Sequence, residues 1–266
     1  MTPTDLNANA VASALDAEKD AVHLVVVDSV DSTNERLLKL AGEGTASGYC
    51  LVSLNQTAGR GRQGSRWLSD STGSLTFSLL WRFSQRSNHQ LSGLPLAVSI
   101  ALARALDEIG VGGLALKWPN DLQRHGRKIA GILVEMAEGS AQGATAVIGI
   151  GLNVKLAEPL ADSLSNPAFD LRDEQGHTPD RNEVLAAVLR HLLPVLRQFD
   201  AEGFLPFQQE WLSRSAHRER TIRLTLPNHR VEVGLCAGLS ADGALLLKQG
   251  ERITSFLAGD VSLRLS

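Results

Sequence analysis

The sequence has little of what marks several large classes of protein. Its 266 residues include two cysteines, Cys50 and Cys236, which excludes a disulfide framework and favours a reduced, cytoplasmic compartment. It has no run of about eighteen apolar residues and no charged-then-apolar leader, so neither a membrane span nor a secretory signal is predicted. The net charge is only −3, which does not favour general polyanion binding. The seven histidines are neither closely paired nor near cysteines, so no zinc site is expected.

One segment departs from this ordinary background. Residues 55–67 (NQTAGRGRQGSRW) contain three glycines and three arginines, and no acidic residue follows before Asp70. Glycines let a backbone approach a ligand closely, and the planar guanidinium groups of Arg60, Arg62 and Arg66 suit phosphate or carboxylate oxygens. The segment therefore predicts an anion-binding loop, although a solvated glycine-rich turn has the same composition.

A helix is predicted to begin just after the first strand. The apolar run at residues 23–27 is typical of a buried strand, and Ser32 and Glu35 behind it stand at capping-box spacing. The hydroxyls of Ser32 and Thr33 are suited either to capping this helix or to holding a polar or anionic ligand group at its positive end. Both roles stay open from the sequence.

The remaining patterns predict an antiparallel sheet followed by a second, smaller domain. Strands are expected at 49–54, 75–83 and 144–153, two more strands within 114–136 with a turn near His125, and helices at 94–109 and from Asp180 to Gly203. Residues 157–180 are rich in Pro, Asp and Ser and are predicted to form an extended loop. From Arg220 onward, short strands alternate with turn dipeptides, which is typical of a small β-barrel.

Lys117 is the second candidate for site chemistry. It lies in an apolar strand beside Trp118, where a lysine needs a partner. Lys117 is either exposed at a sheet edge, paired with Asp121, or in contact with a carboxylate or phosphoryl oxygen of a ligand. Trp118 itself is expected to be a core residue, and the basic turn at 124–128 to be solvated.

Two nucleotide-binding motifs are excluded. The run GIGLNV at residues 149–154 lacks the third glycine of a dinucleotide-binding fingerprint, and no GxxxxGK[ST] occurs. Asn153 could contact a purine edge, but a role at the end of a strand explains it equally well.

Five segments in order resemble the biotin protein ligase family: DSTN (31–34), QTAGRGRQG (56–64), KWPND (117–121), KIAGILVE (128–135) and GIGLNV (149–154). The resemblance covers about residues 23–266. It implies an α+β fold, with a catalytic domain similar to class II aminoacyl-tRNA synthetases and lipoate ligases, followed by an SH3-like barrel. The implied division is an N-terminal tail at 1–22, a catalytic domain at 23–219 and the barrel at 220–266.

The resemblance also implies a two-step reaction. Biotin and MgATP give biotinyl-5′-adenylate and pyrophosphate, and a lysine of a biotin carboxyl carrier protein then attacks the adenylate. Some family members carry an additional N-terminal DNA-binding domain and act as repressors. No such domain fits before the first strand here, so DNA is not an expected partner, and residues 1–22 are predicted to be dispensable for catalysis. Whether the chain forms a homodimer stays open.

The residue roles implied by the resemblance form three groups. Lys117 and Arg60 are the predicted catalytic residues. The predicted biotin and adenylate ligands are Ser32, Thr33, Asn34, Gln56, Gly59, Arg60, Gly61, Arg62, Lys117 and Gly131. Trp67, Asn120 and Asn153 are the predicted ATP contacts, and the metal ligands are unknown.

Two other functions remain open at this stage. A lipoate-type acyl-adenylate ligase would share the fold, but the GRGRQG and KWPND segments favour biotin. A nucleic-acid-binding module would use the arginine loop and the barrel. It is disfavoured because aromatic residues are only 5% of the chain and do not alternate with the arginines.

Overall fold

Two β-sheets organise the chain in the computed structural model, which describes residues 6–137, 143–156 and 168–263. The larger sheet has seven strands in the order β1-β2-β3-β7-β6-β5-β4. Its strands are β1 (His23–Val30), β2 (Tyr49–Gln56), β3 (Ser74–Phe83), β4 (Leu114–Lys117), β5 (Asp121–Arg124), β6 (Arg127–Met136) and β7 (Ala144–Asn153).

The larger sheet is antiparallel except at one edge. β1 and β2 are parallel, because α2 (Thr33–Gly42) crosses from the end of one to the start of the other. This corrects the expectation of a purely antiparallel sheet. As an edge strand, β1 is only partly covered, where the sequence predicted a buried strand.

Helices cover both faces of the larger sheet. On one face, α3 (Leu94–Glu108) packs against α4 (Arg181–Glu202), and their apolar side chains form the main core with β3, β6 and β7. On the other face, Leu37 and Ala41 of α2 pack with Leu51, Leu80 and Val147. The short helix α5 (Gln208–Ser213) leads from α4 to the second sheet.

The region 114–136 contains three strands instead of the two predicted. A turn at residues 118–120 separates β4 from β5, and the Trp118–Pro119 peptide bond in it is cis. The turn at His125 and Gly126 then leads into β6, as predicted. The KWPND segment therefore lies at a strand-to-strand turn facing the arginine loop.

The smaller sheet is open. Its strands are β8 (Thr221–Thr225), β9 (Val231–Leu239), β10 (Leu245–Gln249), β11 (Arg252–Phe256) and β12 (Asp260–Leu263). They are antiparallel in the order β11-β10-β9-β8-β12, so β11 and β12 are edges that do not pair with each other. This corrects the prediction of a barrel, because strand and turn signals do not determine whether the outer strands close. The sheet is consistent with an SH3-like fold.

The N-terminal segment is packed into the core and does not form a tail within residues 6–22. Asn7 caps α1 (Ala8–Ser13), and the side chains of Val11 and Leu15 are each 1% exposed. Arg190 of α4 donates to the Ala14 carbonyl at 2.7 Å, and Arg197 forms an ion pair with Glu18. The composition suggested a tail because a six-residue helix has too few turns to show an apolar period.

Candidate active site

A cavity of about 480 Å³ lies between the two sheets and under the arginine loop. Its lining combines neutral polar and apolar side chains with five cationic ones. The neutral residues include Ser32, Thr33, Asn34, Gln56, Phe77, Ile132 and Leu133, and the cationic residues are Arg60, Arg62, Arg66, Lys117 and Lys128.

Hydrogen bonds hold the neutral wall in place. The Thr33 backbone and hydroxyl donate to the Gln56 side-chain oxygen at 2.8 and 3.1 Å, and the Ser78 hydroxyl lies 2.7 Å from the Thr33 hydroxyl. Ser32 caps α2, because its hydroxyl accepts from the Glu35 backbone. Among the described residues, the Gln56 amide nitrogen has no acceptor, so it remains a donor for a ligand.

Two glycines of the GIGLNV segment make room for side chains of the site. A Cβ at Gly149 would stand 2.2 Å from the Asn34 side-chain oxygen, and one at Gly151 would stand 2.3 Å from the Trp67 ring. Both glycines lie inside β7 and not in a turn. The glycines seat Asn34 and Trp67 against the strand.

The arginine loop meets acidic partners from distant parts of the chain. Arg60 Nη2 lies 2.6 Å from Glu135 Oε1, and Arg62 Nη1 lies 3.8 Å from Asp260 Oδ1. Arg62 also donates to the Asn120 side chain and the Gly259 carbonyl, each at 3.4 Å. Although the loop has no acid of its own, its charges are partly compensated by residues from β6 and β12.

Both lysines of the KWPND and KIAGILVE segments line the cavity. Lys128 Nζ lies 2.6 Å from Asp121 Oδ1, so the partner considered for Lys117 is engaged elsewhere. Within the described part of the chain, Lys117 forms no ion pair and its charge is available to a ligand. Lys128 was missed because it belongs to the basic turn at 124–128, which was expected to be solvated, whereas Lys128 lines the cavity and Arg124 is 9% exposed.

Most of the other predicted site residues line the cavity, but Asn153 and Gly59 do not. Asn153 does not line it, and its amide donates to the Phe169 carbonyl at 3.1 Å. Gly59 allows a close approach, since a Cβ there would stand 2.4 Å from the Trp67 carbonyl. Asn120 lines the cavity while its amide donates to the Ile132 carbonyl at 2.8 Å. The cavity also brings in Gly61, Trp67 and Gly131.

The smaller sheet contributes to the same cavity. Thr225 at the end of β8 and Asp260, Val261 and Ser262 of β12 line it. The sequence motifs placed every ligand contact before residue 154. The contribution of β12 could not be predicted because it depends on how the two sheets meet.

His217 lies buried behind Lys117. Burial lowers the pKa of its imidazole, and the charges of Lys117 and Arg220 lower this pKa further. A hydrogen bond with the Ala216 backbone raises the pKa, but its effect is smaller than that of burial. The folded protein therefore favours the neutral ring.

This burial predicts a loss of stability in acid. As pH falls below about 6.5, the unfolded chain binds a proton that the folded His217 resists, so the free energy of unfolding should fall until the lower folded pKa is passed. We expect urea denaturation to show a larger drop between about pH 7.5 and about pH 5.5 for the wild type than for His217→Gln. Exposed His229→Gln is the matched control, and an unchanged drop in His217→Gln would contradict the assignment.

The described residues show neither a metal cluster nor a membrane span. No group of three or more His, Cys, Asp or Glu side chains in the described ranges is arranged to hold a metal ion. The helices within these ranges include none that is long and apolar enough to cross a membrane.

Comparison with known proteins extends over nearly the whole chain. Residues 26–153 match the biotin/lipoate A/B protein ligase family, and residues 217–264 match the biotin protein ligase C-terminal domain. The bifunctional ligase/repressor BirA of Escherichia coli (strain K12) is 34% identical over 97% of this chain and 78% of its own length. The biotin--[acetyl-CoA-carboxylase] ligase of Paracoccus denitrificans is 34% identical over 82% of this chain and 91% of its own length.

A solved structure agrees with these matches. The biotin protein ligase from Aquifex aeolicus in complex with biotin and ATP superposes with a TM-score of 0.77 at 33% identity, covering 92% of this chain and 99% of that one. The fold and the cavity thus define an enzyme of the biotin and lipoate protein ligase class. Within that class, the chain belongs to the biotin protein ligase family.

Proposed function

We propose that the protein activates biotin with ATP as biotinyl-5′-adenylate and transfers the biotinyl group to a lysine of a biotin carboxyl carrier protein. The observation that carries the proposal is a single cavity whose lining combines neutral hydrogen-bonding groups such as Thr33 and Gln56 with the cations Arg60, Arg62, Lys117 and Lys128. Neutral donors and acceptors suit a ureido ring, and the cations suit a carboxylate and phosphates. The Aquifex aeolicus ligase, which is described with biotin and ATP, supports this assignment.

The first step brings two anions together. A biotin carboxylate oxygen attacks the α-phosphorus of ATP, and the bond to the β-phosphate oxygen breaks as pyrophosphate leaves. Lys117 and Lys128 both line the cavity, where their charges reduce the repulsion between carboxylate and phosphate. Because Asp121 holds Lys128 at 2.6 Å, that ammonium is fixed, whereas Lys117 is the cation left for the ligand. Catalysis is then mainly positioning and charge stabilisation.

The second step needs no enzyme nucleophile. The amine of a carrier lysine attacks the acyl carbonyl of the adenylate, the bond to the phosphate oxygen breaks, and AMP leaves. The carrier lysine must reach the adenylate in the cavity, whose lining includes Asp260 and Ser262 of β12. A carboxyl carrier as acceptor agrees with the carboxylase ligase of Paracoccus denitrificans among the relatives.

We propose that Mg²⁺ enters with ATP. The described residues offer no cluster of three metal-ligating side chains, and the single carboxylates at the cavity are Asp121 and Asp260. Mg²⁺ binds through one or two carboxylates together with substrate phosphates, so this donor set fits a nucleotide-borne ion and not a resident one. When bound, the ion would offset phosphate charge.

We also propose a cytoplasmic location for the reaction. Cys50 and Cys236 are both buried and unpaired, and burial raises the pKa of each thiol. Buried free thiols agree with a reducing compartment that supplies ATP.

The contacts of the arginine loop disfavour the nucleic-acid-binding alternative. Arg60 and Arg62 face acidic residues at the cavity, instead of spreading over a surface where a polyanion could lie. The cations do not distinguish biotin from lipoate, because they would bind any acyl-adenylate. The lipoate-type alternative is therefore decided by experiment.

Arg62 is expected to retain the intermediate. Its guanidinium donates to the Asn120 side chain of the larger sheet and to the Gly259 carbonyl next to β12. The Arg62 side chain therefore connects the two sheets at the cavity. Arg62→Gly should still form adenylate but release it at least about tenfold faster, because its charge-assisted bonds to the product are lost. Rapid filtration of enzyme loaded with labelled biotin measures the release. Arg252→Gly, which removes an exposed arginine on β11 outside the cavity lining, is the control and should release adenylate at the wild-type rate. Equal release rates for Arg62→Gly and wild type would refute this role.

The transfer reaction tests the function as a whole. Purified protein, biotin, ATP and Mg²⁺ are incubated with a biotin carboxyl carrier domain, and intact mass is measured. We expect one biotinyl group on the acceptor lysine and none on a carrier with that lysine changed to arginine. A lipoyl carrier domain acylated at the same rate would contradict the assignment.

A further inference from the structure

One carboxylate joins the neutral wall of the cavity to the arginine loop. Glu135 lies near the end of β6, and its side chain is 20% exposed. Its Oε1 accepts from Arg60 Nη2 at 2.6 Å, while its Oε2 accepts from Asn34 Nδ2 at 2.8 Å. Arg60 and Asn34 both line the cavity, and Glu135 connects them from behind.

The Asn34 side of this connection is rigid. The Asn34 side-chain oxygen lies 2.5 Å from the Ser78 hydroxyl, and its nitrogen also reaches the Leu133 carbonyl at 3.3 Å. Gly149 leaves just the space that the amide occupies, since a Cβ there would stand 2.2 Å from its oxygen. Asn34 is 3% exposed and saturated by protein groups. Asn34 therefore fixes Glu135, and its role as a biotin or adenylate ligand stays a prediction.

The Arg60 side of the connection belongs to the loop. The Arg60 side chain is 42% exposed, and its second acid, Glu35, is 3.9 Å away and 60% exposed. The fixed carboxylate is therefore the element that determines where the guanidinium stands. It also occupies one of the hydrogen-bond donors that a phosphate would use, at Arg60 Nη2.

We propose that Glu135 is a positioning residue for adenylate formation, which holds Arg60 at a set place through Asn34 and neutralises it until a phosphate arrives. The proposal rests on the proposed function and adds to it a residue that does not line the cavity. It has two opposite consequences. Glu135 competes with phosphate for Arg60 and so weakens anion binding, but it places the guanidinium for the transition state and so raises the rate.

The test separates these consequences. Biotin-dependent ATP–pyrophosphate exchange is measured against ATP concentration for wild type, Glu135→Gln, Glu135→Asp and the control Glu35→Gln. For Glu135→Gln we expect kcat to fall at least about tenfold while KM for ATP stays unchanged or falls up to about fivefold, because a half-exposed ion pair competes only weakly. Glu135→Asp should recover part of kcat, and Glu35→Gln should match the wild type.

Three results would overturn the proposal. The first is a kcat of Glu135→Gln within about threefold of the wild-type value, and the second is a fall of kcat in Glu35→Gln as large as that in Glu135→Gln. The third is a Glu135→Gln protein with a lowered kcat, a raised KM for ATP and a lowered melting temperature, which indicates a structural role alone.

Binding of inorganic pyrophosphate to the ligand-free protein keeps this test separate from the proposed function. By calorimetry, Glu135→Gln should bind pyrophosphate about twofold to fivefold more tightly than wild type, whatever the acyl substrate is. Absence of biotin-dependent exchange in the wild type would refute the proposed function. Unchanged pyrophosphate affinity in Glu135→Gln would refute the competition between Glu135 and the anion.

Discussion

Lys117→Ala should lower the rate of adenylate formation by about 10²- to 10³-fold, or roughly 3 to 4 kcal/mol, which is typical for removal of one preorganised charge-stabilising donor. Lys117 lies at the end of β4, lines the cavity and has no ion pair among the described residues, so its charge is available to the carboxylate and phosphate. Biotin affinity should change little, because the neutral wall at Thr33 and Gln56 is unaffected. Rapid-quench measurement of adenylate in a single turnover, with a separate biotin titration, measures both effects.

Two further lysine variants make this measurement specific. Lys248→Ala, an exposed lysine on β10 away from the cavity, should form adenylate at the wild-type rate. Lys128→Ala should also be slow, and it additionally leaves the carboxylate of Asp121 unpaired beside the site. If Lys117→Ala forms adenylate as fast as the wild type, the catalytic assignment of Lys117 is wrong.

Leu15→Ala should destabilise the protein by about 2 to 5 kcal/mol, the usual cost of truncating a fully buried leucine. Leu15 is 1% exposed and packs in the main core with Val11, next to a segment that α4 holds through Arg190 and Arg197. Urea denaturation should show a lower midpoint with an unchanged slope. Adenylate formation per folded molecule should be unaffected, because the segment lies outside the cavity lining.

The control for this experiment is the same substitution at an exposed site. Leu205 is 57% exposed, so Leu205→Ala should cost less than about 1 kcal/mol. A Leu15→Ala protein as stable as Leu205→Ala would restore the idea that residues 1–22 are a tail.

Local sequence signals predicted the elements whose causes are local. Ser32 caps α2 at the expected spacing, β3 and α3 lie within one residue of the predicted ranges, and Asp180 caps α4. The predicted loop at 157–180 lies partly outside the described residues, at 157–167. Capping, periodicity and turn residues act over a few positions, which is why a single sequence carries them.

Features that depend on distant partners could not be predicted in the same way. Glu135 is 75 positions from Arg60, and Asp260 is farther still from Arg62, so the arginine loop appeared uncompensated in the sequence. Asp121 pairs with Lys128 across the β5–β6 hairpin, where a register shift after Leu122 alters which side chains meet, and the hydrophobic pattern does not show such a shift. Such contacts follow from the sheet order and not from local composition.

The division of the chain is a related case. The two sheets separate near Thr221, but they share one cavity. That residues 23–219 and 220–266 fold as separate domains stays a prediction, and whether the chain forms a homodimer stays open. The cavity itself is built from both sheets, because β12 lines it together with the motifs of the larger sheet.

The most direct test of the account is biotin-dependent ATP–pyrophosphate exchange by the purified protein without any carrier. The account predicts that biotin stimulates incorporation of labelled pyrophosphate into ATP, that lipoate and octanoate do not, and that Lys117→Ala loses the stimulation. Exchange stimulated equally by lipoate or octanoate, or no stimulation by biotin in the wild-type protein, would contradict it.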